Sequence, residues 1–299
     1  MPGRRGDQAS GAGRAGLPSC CVTETASSPP VFRVRTEPWI AFRPALDAML
    51  DPLGRAVMAR LAPAAGERVL DVGCGCGSTT LALAEAVGPT GRVTGVDASP
   101  DMIAAAREAT VATGLANVDF VEADAGTHLY EPHAYDVVFS RLGTMFFDEP
   151  EAAFTNLRRA LSRTGRLGFV CWRSLEENAW TTEPRDAAAA IVPLPPMPDP
   201  DAPGPFSQAR AERVTTVLTH ASFVGVTVDP LDEPLLIGRG DVDEAIEFYL
   251  RLLPTGYLMF EPDHHLLDRL RAALRTVLER HLDDDQLRLG SAAWLVTAR

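Results

Sequence analysis

The stretch that most constrains this chain is Val69–Gly77, VLDVGCGCG, followed by a second apolar run that ends in an acid, VTGVD, at Val93–Asp97. Val69 and Leu70 feed a turn whose glycines, Gly73, Gly75 and Gly77, free the backbone to bend tightly, and a helix begins near Ser78. This is the strand–turn–helix entry of a parallel α/β sheet, in which ligands sit at the carboxyl ends of the strands. Asp71, two residues ahead of the first glycine, narrows the choice of ligand. A carboxylate there repels the pyrophosphate of a dinucleotide, but it attracts a ligand carrying an amino group and a second cationic centre. The carboxylate of such a ligand can sit on the N–H groups that open the helix. The GxGxG spacing also differs from the GxGxxG of dinucleotide folds. Cys74 and Cys76 are small enough to let a ligand approach this turn.

The rest of the chain alternates as a parallel sheet requires. The first strand is Arg68–Val72, with a helix over about Ser78–Val87 stopped by Gly88. The second is Arg92–Val96, and its helix opens with Ser99 as N-cap, Pro100 in the first position and Asp101 in the first turn. Strands three, four and five are Val118–Glu122, Asp136–Ser140 and Leu167–Trp172, the last two separated by a helix at about Glu149–Leu161 and a turn at Gly165. Residues 193–205 hold seven prolines and are expected to form an extended loop. A helix near Ala209–His220 then leads to a sixth strand, Val224–Val228. Helices at about Val242–Leu253 and His264–His281 precede a final strand, Ala292–Ala298. Ahead of the sheet, apolar residues in Trp39–Leu61 recur at helical spacing, and Pro44 and Pro52 are expected to break them into short helices. Residues 1–30 are rich in Gly, Ala, Ser and Pro without periodicity, so disorder is expected there, and their arginines precede no signal-type apolar run.

With these elements assigned, Arg68–Trp172 resembles the Rossmann-like (class I) S-adenosylmethionine-dependent methyltransferases. The likeness is to the group of ubiquinone/menaquinone-type and natural-product small-molecule enzymes. It rests on Asp71, the glycines at 73, 75 and 77, and Asp97 ending the second strand. The resemblance implies an α/β fold with a seven-stranded sheet, mostly parallel, whose last strand is antiparallel beside the sixth. It divides the chain into an extension (1–30), an N-terminal helical cap (31–65) and a methyltransferase domain (66–299). Insertions at 174–210 and 230–281 would form a substrate lid.

The implied cofactor is S-adenosylmethionine, whose charges match those Asp71 favours. Its expected contacts are Asp71, Gly73, Cys74, Gly75, Gly77, Asp97, Ala98, Met102, Asp124, Ala125 and Ser140. A carboxylate at Asp97 can accept from both ribose hydroxyls, and the thioether of Met102 can lie on the adenine face. By resemblance, Asp124 accepts from the adenine amine while the Ala125 backbone meets the ring. Ser140 and Arg141 leave the sheet where the reaction centre is expected, and Arg141 either holds an anionic group of the substrate or bonds a neighbouring loop. Trp39, Trp180, Tyr249 and Tyr257 are candidates for an aromatic substrate wall. No catalytic base is assigned, since His128, His133, His264 and His265 read as surface or lid residues.

The expected activity is methyl transfer to a small apolar or aromatic metabolite of specialised, natural-product metabolism. C-methylation of a quinone-like ring or prenyl carbon is the alternative, and an NAD(P)-dependent oxidoreductase is the rival of a different class. A net charge of −12 argues against nucleic acid or an anionic membrane as partner. All 28 basic residues are arginine, which excludes a Schiff-base lysine. The cysteines at 20, 21, 74, 76 and 171 form no CxxC pair, so no metal is expected, and reduced thiols suit the cytoplasm. Homo-oligomerisation is left open.

Overall fold

The computed structural model describes residues 36–194, 199–252 and 264–299. The expected N-terminal extension, Tyr257 and part of the proline run lie outside them. The sheet comprises β1 (Arg68–Val72), β2 (Arg92–Asp97), β3 (Val118–Glu122), β4 (Tyr135–Arg141), β5 (Leu161–Trp172), β6 (Thr227–Arg239), β7 (Leu282–Asp283) and β8 (Gln286–Ala298). Its order is β3-β2-β1-β4-β5-β8-β6, with the two-residue β7 paired to β8 off this path. β1 to β5 run parallel, while β8 is antiparallel to both β5 and β6. Seven strands on one path match the expected sheet, and β7 adds an eighth.

Helices cover both faces, so the central strands are buried on both sides rather than alternately, as Val69, Leu70, Asp71 and Val72 of β1 illustrate. α3 (Ser78–Val87) and α4 (Pro100–Thr113) return the chain after β1 and β2. The Ser99 hydroxyl caps α4 by accepting from Met102 N at 3.3 Å. α5 (Pro150–Ala160) connects β4 to β5, and α7 (Ala211–His220) precedes β6.

Upstream, α1 (Thr36–Ala41) is followed by α2 (Arg43–Leu61), which runs unbroken through Pro52. The expected break at Pro52 does not occur. A proline inside a helix costs about 3 kcal/mol, whereas each fully buried aliphatic side chain returns roughly 1.5–3 kcal/mol. α2 buries Leu46, Met49, Leu50, Leu53, Val57 and Leu61 along one face, so packing outweighs the missing hydrogen bond. Pro44 lies in the first turn, where its lack of an N–H carries little penalty.

The sixth strand is longer than expected, beginning at Thr227 and continuing to Arg239 through Pro230 and Pro234. Both prolines keep their places in the ladder, opposite Trp294 and Gly290. β6 ends the sheet order, and prolines are tolerated on such an edge strand. β5 accompanies β8 only from Leu167↔Ala298 to Trp172↔Ala293, but β6 accompanies it as far as Arg239↔Gln286. Past Trp172 the sheet therefore narrows to a two-stranded ribbon, which β7 joins only at its far end, opposite Leu287 and Gln286. Between its strands the chain forms α8 (Asp243–Leu252) and α9 (His264–Leu278), and α6 (Ala179–Ala189) packs against α9 and β8.

Candidate cofactor and acceptor site

The glycine turn is tied to the end of β2. Gly73 N and Cys74 N donate to Val96 O at 2.8 and 3.1 Å, and Gly75 N donates to Asp97 Oδ2 at 2.9 Å. The other Asp97 oxygen accepts from Ser99 N at 2.9 Å, so one carboxylate holds both the turn and the entry to α4. Each oxygen retains a lone pair for a diol. Burial raises the Asp97 pKa despite the two backbone donors. Above the turn, a Cβ added to Gly75 would meet nothing within 4 Å, leaving an open cradle. Met102 is buried, and the Cys76 thiol approaches its sulfur at 3.4 Å, while Ala98 is exposed beside Asp97. Ala123 N donates to Asp97 O at 3.0 Å, which brings the loop after β3 to the same end of the sheet. In that loop Asp124 accepts from Gly126 N at 2.9 Å and from the Thr127 hydroxyl at 2.7 Å, and Ala125 is buried.

Asp71 lies beneath the turn rather than facing the cradle. It is fully buried, and its Oδ2 accepts from the Thr79 and Thr80 hydroxyls at 2.7 and 2.6 Å. Its Oδ1 is buried without a hydrogen-bond partner. Any influence on a ligand is thus exerted through the floor of the turn. Burial pushes the Asp71 pKa up to about 6, against the two threonine bonds and the nearby Arg141 charge. A carboxyl whose folded pKa is raised stabilises the fold while protonated, and that contribution is lost as pH rises towards the folded value. Between pH 5 and pH 7 the wild type should lose about 1 kcal/mol more stability than Asp71→Asn. Urea melts of both proteins at the two pH values measure this directly, and parallel pH dependences would contradict it.

The end of β4 differs from expectation at Ser140. Its hydroxyl is fully buried, donating to Val72 O at 2.7 Å and accepting from Gly143 N at 3.1 Å. It staples the loop after β4 to the end of β1, so its side chain is turned into the protein. The two loops touch through glycines: a Cβ on Gly73 would lie 2.7 Å from Gly143 Cα, and one on Gly143 would lie 2.6 Å from Val72 O. Leu142, which precedes Gly143, has φ +66°, a strained value for a leucine. Arg141 does bond a neighbouring element, its Nη2 donating to the Ser78 hydroxyl at 3.0 Å and lying 3.5 Å from Asp47 Oδ1 on α2. Ser78 in turn donates to Asp47 at 2.6 Å.

The aromatic candidates separate. Trp39 and Trp180 are half-buried against the core, and Trp180 is bonded through its indole N–H to Asn178 Oδ1 at 3.0 Å and stacks obliquely on Trp172. Tyr249 is fully buried with its hydroxyl on Trp180 O, so it supports the Trp180 segment and is not itself a pocket wall. Asn178, which the sequence reading missed, is buried and also bonds Ser174 O, Ala292 O and Ala292 N, fastening α6 to the ribbon. Among the histidines, the His133 ring lies 2.9 Å from Leu161 O and His128 packs edge-on to Tyr130. His264 and His265 are exposed at the start of α9. Among the described residues no three His, Cys, Asp or Glu side chains are grouped to hold a metal ion.

Residues 69–165 match the family described as Methyltransferase domain. Aklanonic acid methyltransferase DauC of Streptomyces sp. (strain C5) is 35% identical over 119 residues, covering 40% of this chain and 54% of that protein. Demethylmenaquinone methyltransferase of Staphylococcus aureus (strain JH9) is 35% identical over 117 residues, 39% of this chain and 47% of that one. The chain therefore spans about half the length of the curated relatives it matches. The crystal structure of YcgJ from Bacillus subtilis aligns over 82% of this chain and 97% of that one, with a TM-score of 0.53 at 18% identity. That likeness shows a shared fold that extends well beyond residues 69–165.

Proposed function

We propose that this chain transfers a methyl group from S-adenosylmethionine to a small-molecule acceptor. The observation that carries this reading is the hydrogen bond from Gly75 N to Asp97. It couples an open glycine cradle to a carboxylate suited to a ribose diol, at the carboxyl ends of parallel strands in a methyltransferase-family domain. The residues fit the cofactor in two further respects. The partnerless Oδ1 of Asp71 supplies negative charge under the turn, and Met102 with Cys76 offers a soft, polarisable flank for the base. Asp124 and Ala125 would meet the adenine edge. The rival nicotinamide cofactor fits poorly, because its pyrophosphate would approach the start of α3 between Asp71 below and Asp47 beside Ser78.

When bound, S-adenosylmethionine supplies a methyl group already activated by its sulfonium. The chain's own contribution is then positioning and exclusion of water, and no residue needs to act as a base unless the acceptor must lose a proton. Trp39, Trp180 and Arg141 would bound the acceptor space, with the lid formed by the segments after β5 and between β6 and β8. The similarity to aklanonic acid methyltransferase supports an apolar, aromatic acceptor of natural-product type, and the similarity to demethylmenaquinone methyltransferase keeps ring C-methylation as the alternative. No helix among the described residues is long and apolar enough to cross a membrane.

Asp97→Ala should weaken S-adenosylmethionine binding ten- to a hundredfold, as removing a buried acceptor costs about 1.5–3 kcal/mol. Calorimetric titration of both proteins tests this, and an unchanged dissociation constant would remove Asp97 from the site.

A further inference from the structure

The contacts of α2 go beyond covering the sheet. Asp47 from α2, Ser78 from the first position of α3 and Arg141 from the end of β4 converge on one point, and Arg43 Nε adds a contact to Asp47 at 3.5 Å. The stem of Arg141 reaches this point by crossing α2 at Gly54, where an added Cβ would lie 3.3 Å from its Cδ. The N-cap of α3 is Gly77, which provides no capping side chain, so the polar groups at that helix start come from Asp47 and Arg141.

The guanidinium of Arg141 is lightly engaged for so enclosed a group. Both its contacts use Nη2, and the 3.5 Å distance to Asp47 is at the outer limit of a hydrogen bond. Arg166 provides the comparison within the same protein. It spends all three nitrogens on Leu61 O, Ala62 O and both oxygens of Glu67, as a purely structural arginine does. The Asp47–Arg141 pair, in contrast, presents one carboxylate and one guanidinium across a shared serine hydroxyl. A zwitterionic amino acid carries the complementary pair of charges. A second observation lies beneath the same helical turn, where Asp71 bonds Thr79 and Thr80 through one oxygen, keeps a buried, partnerless Oδ1, and feels the charge of Arg141.

The geometry points to Asp47, Ser78 and Arg141 as the receptor for the amino-acid end of the nucleoside cofactor. Asp47 takes the ammonium, while Arg141 and the Ser78 hydroxyl take the carboxylate. Helix α2 is then part of the cofactor site and not only its cover. This rests on the cofactor reading above and adds residues from outside the matched segment or beyond its glycine motif.

The test uses two probes that share adenosine and a thioether but differ in the amino-acid group: S-adenosylhomocysteine and 5′-methylthioadenosine. Each is titrated calorimetrically into wild type, Asp47→Asn, Arg141→Met and the milder Ser78→Ala, with melting curves to verify folding. The expected result is a loss of tenfold or more in S-adenosylhomocysteine affinity for Asp47→Asn and Arg141→Met. Ser78→Ala should lose roughly threefold or more, and methylthioadenosine affinity should stay within twofold throughout. Equal losses for both probes would make the cluster merely structural and overturn the proposal, as would unchanged S-adenosylhomocysteine affinity in any folded variant. Wild type binding both probes equally would overturn it while leaving the cofactor reading intact. Binding of neither probe by wild type would overturn both. If Arg141→Met fails to fold, the Ser78→Ala and Asp47→Asn titrations still decide.

Discussion

Gly73→Ala should abolish nucleoside binding and destabilise the fold by about 2–4 kcal/mol, combining a left-handed backbone with an overpacked contact. Gly73 has φ +69°, and its new methyl would fall 2.7 Å from Gly143 Cα, a backbone atom that cannot rotate away. The loops after β1 and β4 would have to separate, taking with them the Ser140 bridge between Val72 O and Gly143 N. Gly114→Ala is the control. It has φ +71° at the end of α4 but open space around it, so only the backbone cost of about 1–2 kcal/mol applies. Urea melts and S-adenosylhomocysteine titrations of both variants separate the effects. Similar stabilities for the two, with binding retained in both, would show that the glycine crossing has slack.

Arg166→Ala should cost roughly 2–4 kcal/mol, because it strands the Glu67 carboxylate and two carbonyls at the end of α2. The lost bonds run to Leu61 O, Ala62 O and both Glu67 oxygens, with distances of 2.7 to 3.0 Å. Arg166→Lys should recover less than half of this, since a lysine ammonium cannot reproduce the planar fork. Chiefly through the Arg166 hydrogen bond, the Glu67 pKa is held below its usual value. The pair's contribution is therefore present at neutral pH, above the ordinary carboxylate pKa, and lost as pH falls through the lowered folded value. Denaturant melts at pH 7 and pH 3 should show the gap between wild type and Arg166→Ala narrowing in acid; a gap that is constant with pH would mean the carbonyl contacts dominate.

The parallel half of the fold was legible because its signals are local. The apolar run into GxGxG, the Ser99–Pro100 cap and the acid closing β2 each act within a few residues of themselves. The readings that failed depended on distant partners. Pro52 looked like a helix breaker until the face of α2 was seen packed on the sheet. The sixth strand was expected only over Val224–Val228, but it runs to Arg239 because an edge position tolerates the missing N–H groups of Pro230 and Pro234. At the site, the spacing of Asp97 and Met102 was readable, whereas the direction of a side chain was not. Ser140 turns inward to a carbonyl 68 residues away in sequence, and Tyr249 is consumed in supporting Trp180. Asp47 carried no signal of its own, as one acid on an amphipathic helix reads as solvated until Ser78 and Arg141 are found against it.

The ribbon formed by β6 and β8 beyond Trp172 has a mechanical consequence. Two-stranded ribbons twist more readily than wide sheets. Helices inserted between β6 and β8 are therefore mounted on a torsion bar, whose fixed end is the β5–β8 ladder from Leu167 to Trp172. Asn178, which fastens α6 to Ala292, sits where that bar leaves its clamp. Exchanging α8 and α9 for helices of another shape would change the load on the bar without entering the ladder of β1 to β5. Under the function proposed above, a lid built from these helices is open to rebuilding for a new acceptor while the nucleoside cradle keeps its alignment.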